Sequence, residues 1–138
     1  MTLQVELVVP EGEVWSGSAE MVIAKTLDGD IGVLTGHTPV LGILAQGSVV
    51  RIKPDVAESG EEVVAAVNGG FFSVADDRVS ILAQDAQLSD RIDAKAARAA
   101  LESALQDAQA DAAGGEEPAD VRYYRALLRA AGDPADRA

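Results

Sequence analysis

The hydrophobic pattern of this chain changes period once, near Asp90, and that change limits what the chain can fold into. Before it, apolar and polar residues alternate over short runs: Leu3, Val5, Leu7 and Val9 do so until Pro10 ends the run. Further β-like runs cover Ala19–Thr26, Val40–Leu44 and Ser48–Lys53, the last stopped by Pro54. Glu58–Glu62 is a polar turn. Asn68-Gly69-Gly70 stands between Val63–Val67 and Phe71–Val74 and predicts a tight hairpin, because Asn and Gly tolerate positive φ. Asp76-Asp77 makes the next turn, into Arg78–Leu82. Turn signals at intervals of about 8–12 residues predict a sandwich or barrel, here of about ten short strands.

After Asp90 the residues are helix formers. Positions 92 to 113 are dominated by Ala, Leu, Lys, Arg, Glu and Gln, with no Gly or Pro until Gly114. Asp93 is the expected N-cap, and Ile92, Ala97, Leu101, Leu105 and Ala108 form a narrow apolar stripe. Gly114–Pro118 breaks the helix, with Pro118 in the first turn of a second one. There Val121, Tyr124, Leu128 and Ala131 line one face, and Gly132 and Pro134 stop it. The predicted class is therefore α+β: an N-terminal β-sandwich over residues 1–88, then an antiparallel two-helix hairpin over 89–138. The helical stripe is thin and rich in alanine, which buries little area, so weak packing of the hairpin on the sandwich is expected.

Charge and composition narrow the function. The net charge of −12 argues against nucleic acid or anionic lipid as partners, since both select basic surfaces. Through Asp90 there are 4 basic and 14 acidic residues; from Arg91 onward there are 7 and 9, which supports two functional segments. With no cysteine, thiolate chemistry and disulfides are excluded. No apolar run approaches the roughly 20 residues that cross a bilayer, so no membrane insertion is expected. The first residues have neither a basic segment nor an apolar core, and no export signal is expected.

The candidate site residues lie in three places. Gly29–Pro39, with Asp30 and the single histidine His37, reads as a shaped bend whose glycines at 29, 32 and 36 permit angles a side chain would forbid. One histidine without a second imidazole or a thiol cannot form a typical zinc site, and no Ser-His-carboxylate order stands out. His37 is therefore read as an architectural or contact residue, and Asp30 as a turn carboxylate that could meet a basic partner. Phe71 and Phe72 are adjacent, so on a regular strand one faces the core and the other faces out. Arg122, Arg125 and Arg129 share one face of the second helix, suited to carboxylate pairing.

Taken in order, Trp15-Ser16-Gly17, Asp28–Pro39 with its Gly-Asp-Ile-Gly and Gly-His-x-Pro pieces, Gly47 before Arg51-Ile52, Asn68-Gly69-Gly70-Phe71 and Val79–Ala83, followed by a charged two-helix tail, resemble the epsilon subunit of the bacterial F-type ATP synthase. The resemblance implies a non-catalytic subunit of the rotating central stalk, peripheral on the cytoplasmic face of the cell membrane. It implies that the sandwich binds the gamma subunit and the loops of the c-ring, with Asp30 and His37 near those contacts and Gly69-Gly70 in a tight hairpin. It also implies that the helices restrain ATP hydrolysis, with the arginine face engaging the catalytic β subunits. Some members bind ATP through an Ile/Leu-Asp-x-x-Arg-Ala motif opening the first helix. Here that stretch is Ile92–Ala97, and Ala96 replaces the arginine, so weak or absent ATP binding and no cofactor are expected. Two other classes remain as alternatives: a stand-alone ligand-binding sandwich with no role in a rotary ATPase, and a small barrel enzyme with His37 in a pocket.

Overall fold

The computed structural model describes residues 2–54, 62–110 and 119–132. Residues 58–61 of the expected polar turn at 58–62, the break at 114–118 and Pro134 lie outside these residues. Seven strands come first: β1 (Leu3–Val9), β2 (Gly12–Thr26), β3 (Gly29–Leu34), β4 (Val40–Ile43), β5 (Gln46–Pro54), β6 (Val63–Ala75) and β7 (Arg78–Leu88). A 3-10 turn, Ser89–Arg91, leads to helices α1 (Ala94–Ala110) and α2 (Ala119–Ala131).

The strands are fewer and longer than the turn signals suggest, because β2 and β6 each serve more than one neighbour. The order β1-β7-β6-β5-β2 closes on itself through a β1–β2 pairing, giving a closed, flattened sandwich; β3 pairs β2 and β4 pairs β6. β6 is the clearest case. β7 pairs it from Ala65 to Ala75, while its other edge meets β5 as far as Asn68 and then β4 from Phe71 to Val74.

The change of partner falls at Gly69-Gly70, with φ of 68° and 118°. Asn68-Gly69-Gly70 is thus not a hairpin turn but a bend inside one strand. The same positive φ values that license a hairpin here carry β6 from one layer to the other. A Cβ at Gly70 would meet the backbone of Leu82 and Ala83 on β7, so the two strands approach as only glycine allows. The true hairpin turn is Asp76-Asp77, where both residues adopt positive φ (50° and 60°), as the type I′ geometry requires.

The main core fills the sandwich with Leu3, Leu7, Val22, Ile52, Phe72 and Ile81, all essentially inaccessible. A second cluster joins the helices to the sheet. Ala66 on β6 points away from the main core into this cluster, with Val49 and Val64 beside it. α2 lies between α1 and the β5–β6 surface, and therefore buries residues on two sides. Val121, Tyr123, Ala126, Leu127, Leu128 and Ala130 are all buried. The expected weak packing is corrected by this arrangement, since each fully buried Val or Leu contributes about 1.5–3 kcal/mol. Tyr123 and Leu127 are absent from the stripe read at helical spacing; they belong to the helix's second buried side. α1 begins as expected, with Asp93 as N-cap: its Oδ1 accepts from the Ala96 amide at 3.1 Å.

Candidate functional site

Asp30 and His37 stand at opposite ends of β3. Asp30 is exposed and is the cross-strand partner of Lys25 on β2. From Asp30 to Leu34 the strand rises about 13 Å, and His37 lies beyond it in the β3–β4 connection. The two residues are therefore not brought together. The His37 turn is tied to its own surroundings: the His37 amide donates to the Leu34 carbonyl at 3.1 Å, and Nδ1 lies 2.7 Å from the Thr38 carbonyl oxygen. The Gly36 amide donates to Asp77 Oδ1 at 2.7 Å, fastening this turn to the β6–β7 hairpin. Gly29 and Gly36 have positive φ, whereas Gly32 is ordinary strand, which corrects the reading of that glycine. Among the described residues no group of three or more His, Cys, Asp or Glu is placed to hold a metal ion.

The phenylalanine pair resolves cleanly. Phe72 is 1% exposed and fills the space over Gly42, where any side chain would clash with its ring. It is a core residue and not a surface contact, which corrects its place among the candidates. Phe71 is 52% exposed. Its register partners are Ile43 on β4 and Leu82 on β7, both exposed, and Leu41 stands two positions from Ile43 on the same face. Four large apolar side chains thus form one outward patch across three strands. A contiguous apolar surface of this kind marks a contact face.

The three arginines lie over the start of β5. Arg122 Nη2 donates to Gln46 Oε1 at 3.2 Å, and Arg129 Nη2 donates to the Gly47 carbonyl at 3.0 Å. Gly47, at φ 64°, lies so close to α2 that a Cβ there would press into the Arg122 backbone. Arg125 lines the same recess as Arg122 and Arg129. The arginine face is therefore turned toward the sandwich. Nothing in helical spacing reveals this, because it depends on the docking of α2.

The seam between α2 and the sheet also holds polar atoms without hydrogen-bond partners: Asn68 Oδ1 and Arg122 Nε. Burial above all, and then the negative charge of Asp85, raise the Tyr123 phenol well above its ordinary pKa.

A sequence model described as "ATP synthase, Delta/Epsilon chain, beta-sandwich domain" matches residues 2–89. The ATP synthase epsilon chain of Thermobifida fusca is 56% identical over 130 residues, 94% of this chain and 91% of the relative. That of Streptomyces griseus is 48% identical over 128 residues, 92% of this chain and 97% of the relative. This chain belongs to the ATP synthase delta/epsilon family. A cryo-EM structure of the Euglena gracilis mitochondrial ATP synthase, OSCP/F1/c-ring in rotational state 1, contains a chain of the same fold. The two superpose with a TM-score of 0.68 at 21% identity, covering 99% of this chain and 81% of that one.

Family membership gives the geometry its context. The sandwich of this delta/epsilon chain carries the apolar patch, and its helices carry the arginine face turned onto the sheet. In the stretch compared with the ATP-binding motif, the Asp93 carboxylate caps α1 and Ala96 is an exposed methyl with nothing to donate. No helix of the described residues is long and apolar enough to cross a membrane.

Proposed function

We propose that this chain is a non-catalytic central-stalk subunit of an F-type ATP synthase. In this reading residues 1–88 bind the rotor and residues 89–138 form a regulatory hairpin that restrains ATP hydrolysis. The observation that carries the reading is the likeness to epsilon chains over both segments, 94% of the chain at 56% identity. The apolar patch at Leu41, Ile43, Phe71 and Leu82 supports a protein-binding face on the sandwich and is assigned to the gamma subunit. Asp30, exposed at the β2–β3 end, is assigned to the loops of the c-ring, and His37 to the shape of the opposite end. In the docked arrangement Arg122 and Arg129 hold the sandwich, so the same side chains become available to acidic segments of the catalytic β subunits only after α2 leaves it. Such a subunit is peripheral to the membrane on the cytoplasmic face.

The test is the ATPase rate of the assembled complex with the full chain and with a chain ending at Asp90. The expected result is normal assembly of both and a higher hydrolysis rate for the truncated form. Equal rates would remove the regulatory half of the proposal. Failure of the full chain to co-purify with the rotor would remove the whole.

A further inference from the structure

Where the β1–β2 turn meets the end of β7, the sandwich leaves a cavity of about 430 Å³. Among the described residues, β2 pairs only β1 over Gly12–Ser18, and β7 pairs only β6 over Ala83–Leu88. Two strand edges therefore border the cavity, and both are blunted against strand addition. The β1–β2 register passes from Leu7 opposite Trp15 to Val8 opposite Glu13, so Val14 is the extra residue of a β-bulge, and it lines the cavity. On the other edge the Ala86 amide donates to Asp85 Oδ1 at 2.9 Å and is lost to a partner strand. What remains is a pocket and not a pairing edge. Val9, Val14 and Leu88, half-buried at the fringe of the main core, form its apolar wall. Glu11 in the β1–β2 turn, Glu13 on β2 and Arg91 in the 3-10 turn add three exposed charges. Among the described residues none of the three forms an ion pair, so opposite charges share this cavity without touching.

We infer that this cavity binds a small organic zwitterion whose two charges stand at the ends of an apolar body. Its ammonium group meets Glu11 and Glu13, its carboxylate meets the Arg91 guanidinium, and the body between them lies along Val9, Val14 and Leu88. The volume falls within the ~300–1,000 Å³ of small-molecule sites, which combine apolar walls with a few polar groups that fix orientation. Charge decides the class. A ligand with only a negative group is repelled by two carboxylates, and one with only a positive group is repelled by the guanidinium. A ligand carrying both is matched at each pole, and the planar fork of arginine suits a carboxylate. Because the protein's own charges do not touch, the ligand's poles have to be several bonds apart. The cavity shares no lining residue with the apolar patch or the arginine face, so its occupancy is independent of the rotor reading and is testable on the full chain alone.

The experiment is an NMR titration of the isotopically labelled full chain with 6-aminohexanoate and 8-aminooctanoate at constant ionic strength. Hexanoate and hexylamine, each with one of the two charges, are titrated in parallel. Saturable shifts are expected at Val9, Val14 and Leu88, with the single-charge analogues bound about fivefold more weakly, the loss of one exposed ion pair. Arg91→Gln should weaken 6-aminohexanoate by a similar factor and improve hexylamine, while Glu11→Gln combined with Glu13→Gln should do the same in favour of hexanoate. All three side chains are exposed, so the variants keep the fold, and unchanged signals from the core of β6 verify it. The absence of saturable shifts with both zwitterions would overturn the site, as would shifts centred away from these residues. Equal affinity for hexanoate, hexylamine and 6-aminohexanoate would reduce it to unselective apolar contact and overturn it too. So would an order of preference that neither set of substitutions changes.

Discussion

Gly47 offers a direct way to test how the helices are held. Substituting Gly47→Ala has two separable effects. The first is conformational: at φ 64° a non-glycine residue sits in the left-handed region, at a cost of about 1–2 kcal/mol. The second is steric, because the new Cβ would occupy the space of the Arg122 carbonyl group and force α2 away from the β4–β5 turn. Overpacking of this kind costs about 1–3 kcal/mol, and here it falls on the docked arrangement alone. Gly36→Ala is the control. Gly36 has φ 84°, and its substituted methyl would find no atom within 4 Å, so the variant carries the conformational cost without the clash. Amide hydrogen exchange read separately for α2 and for β6–β7 distinguishes the two. Relative to Gly36→Ala, the Gly47 variant should exchange roughly 5- to 150-fold faster in α2, with little difference in the central strands. Equal acceleration of α2 in both variants would refute the argument that this contact positions the helix.

Phe72→Ala should destabilise the chain by about 3–5 kcal/mol in urea unfolding, whereas Phe71→Ser should change it by less than about 1 kcal/mol and instead weaken binding to the rotor. Equal losses of stability would contradict the assignment of sides. For Tyr123 the folded-state pKa lies above the unfolded one, so the folded chain holds this proton more tightly. Its stabilising contribution is complete below about pH 10 and declines as pH rises further, by up to about 1.4 kcal/mol per pH unit. Tyr123→Phe removes that decline, so the variant should lose less stability between neutral and alkaline pH than the parent chain. Urea midpoints at neutral and alkaline pH check this, and an alkaline slope unchanged in the variant would refute it. Asp30→Lys should weaken assembly with the c-ring and place two cations opposite each other on β2 and β3; Asp30→Asn separates these effects. Normal coupling in both variants would remove Asp30 from the interface.

What is legible in the sequence is local. Alternation locates β1, two adjacent aspartates locate the β6–β7 turn, and Asp93 locates the start of α1. Each depends on residues within a few positions of one another. Asn68-Gly69-Gly70 misleads because a hairpin and a mid-strand bend demand the same positive φ; only the neighbours on either edge of β6 tell them apart. The first half of β2 escapes notice because Glu13, Trp15, Ser16 and Gly17 do not alternate cleanly, its pairing with β1 being set across the sheet. For the candidate site, the sequence requires one phenylalanine to face out but cannot choose between them. That choice follows from the register that puts Phe72 opposite Gly42. The arginines are visible as a helical face, but what the face meets depends on a tertiary contact at Gly47.

The polar atoms stranded in the seam between α2 and the sheet have a thermodynamic consequence. Asn68 Oδ1 and Arg122 Nε each give up hydration without a protein partner in return, a penalty of about 1–3 kcal/mol apiece. Water therefore competes with the apolar contacts for this surface at fixed points. Val121, Leu127 and Leu128 of α2 supply adhesion, and the unmet polar atoms subtract from it. The net free energy that closes this joint is therefore smaller than its buried apolar area alone would give.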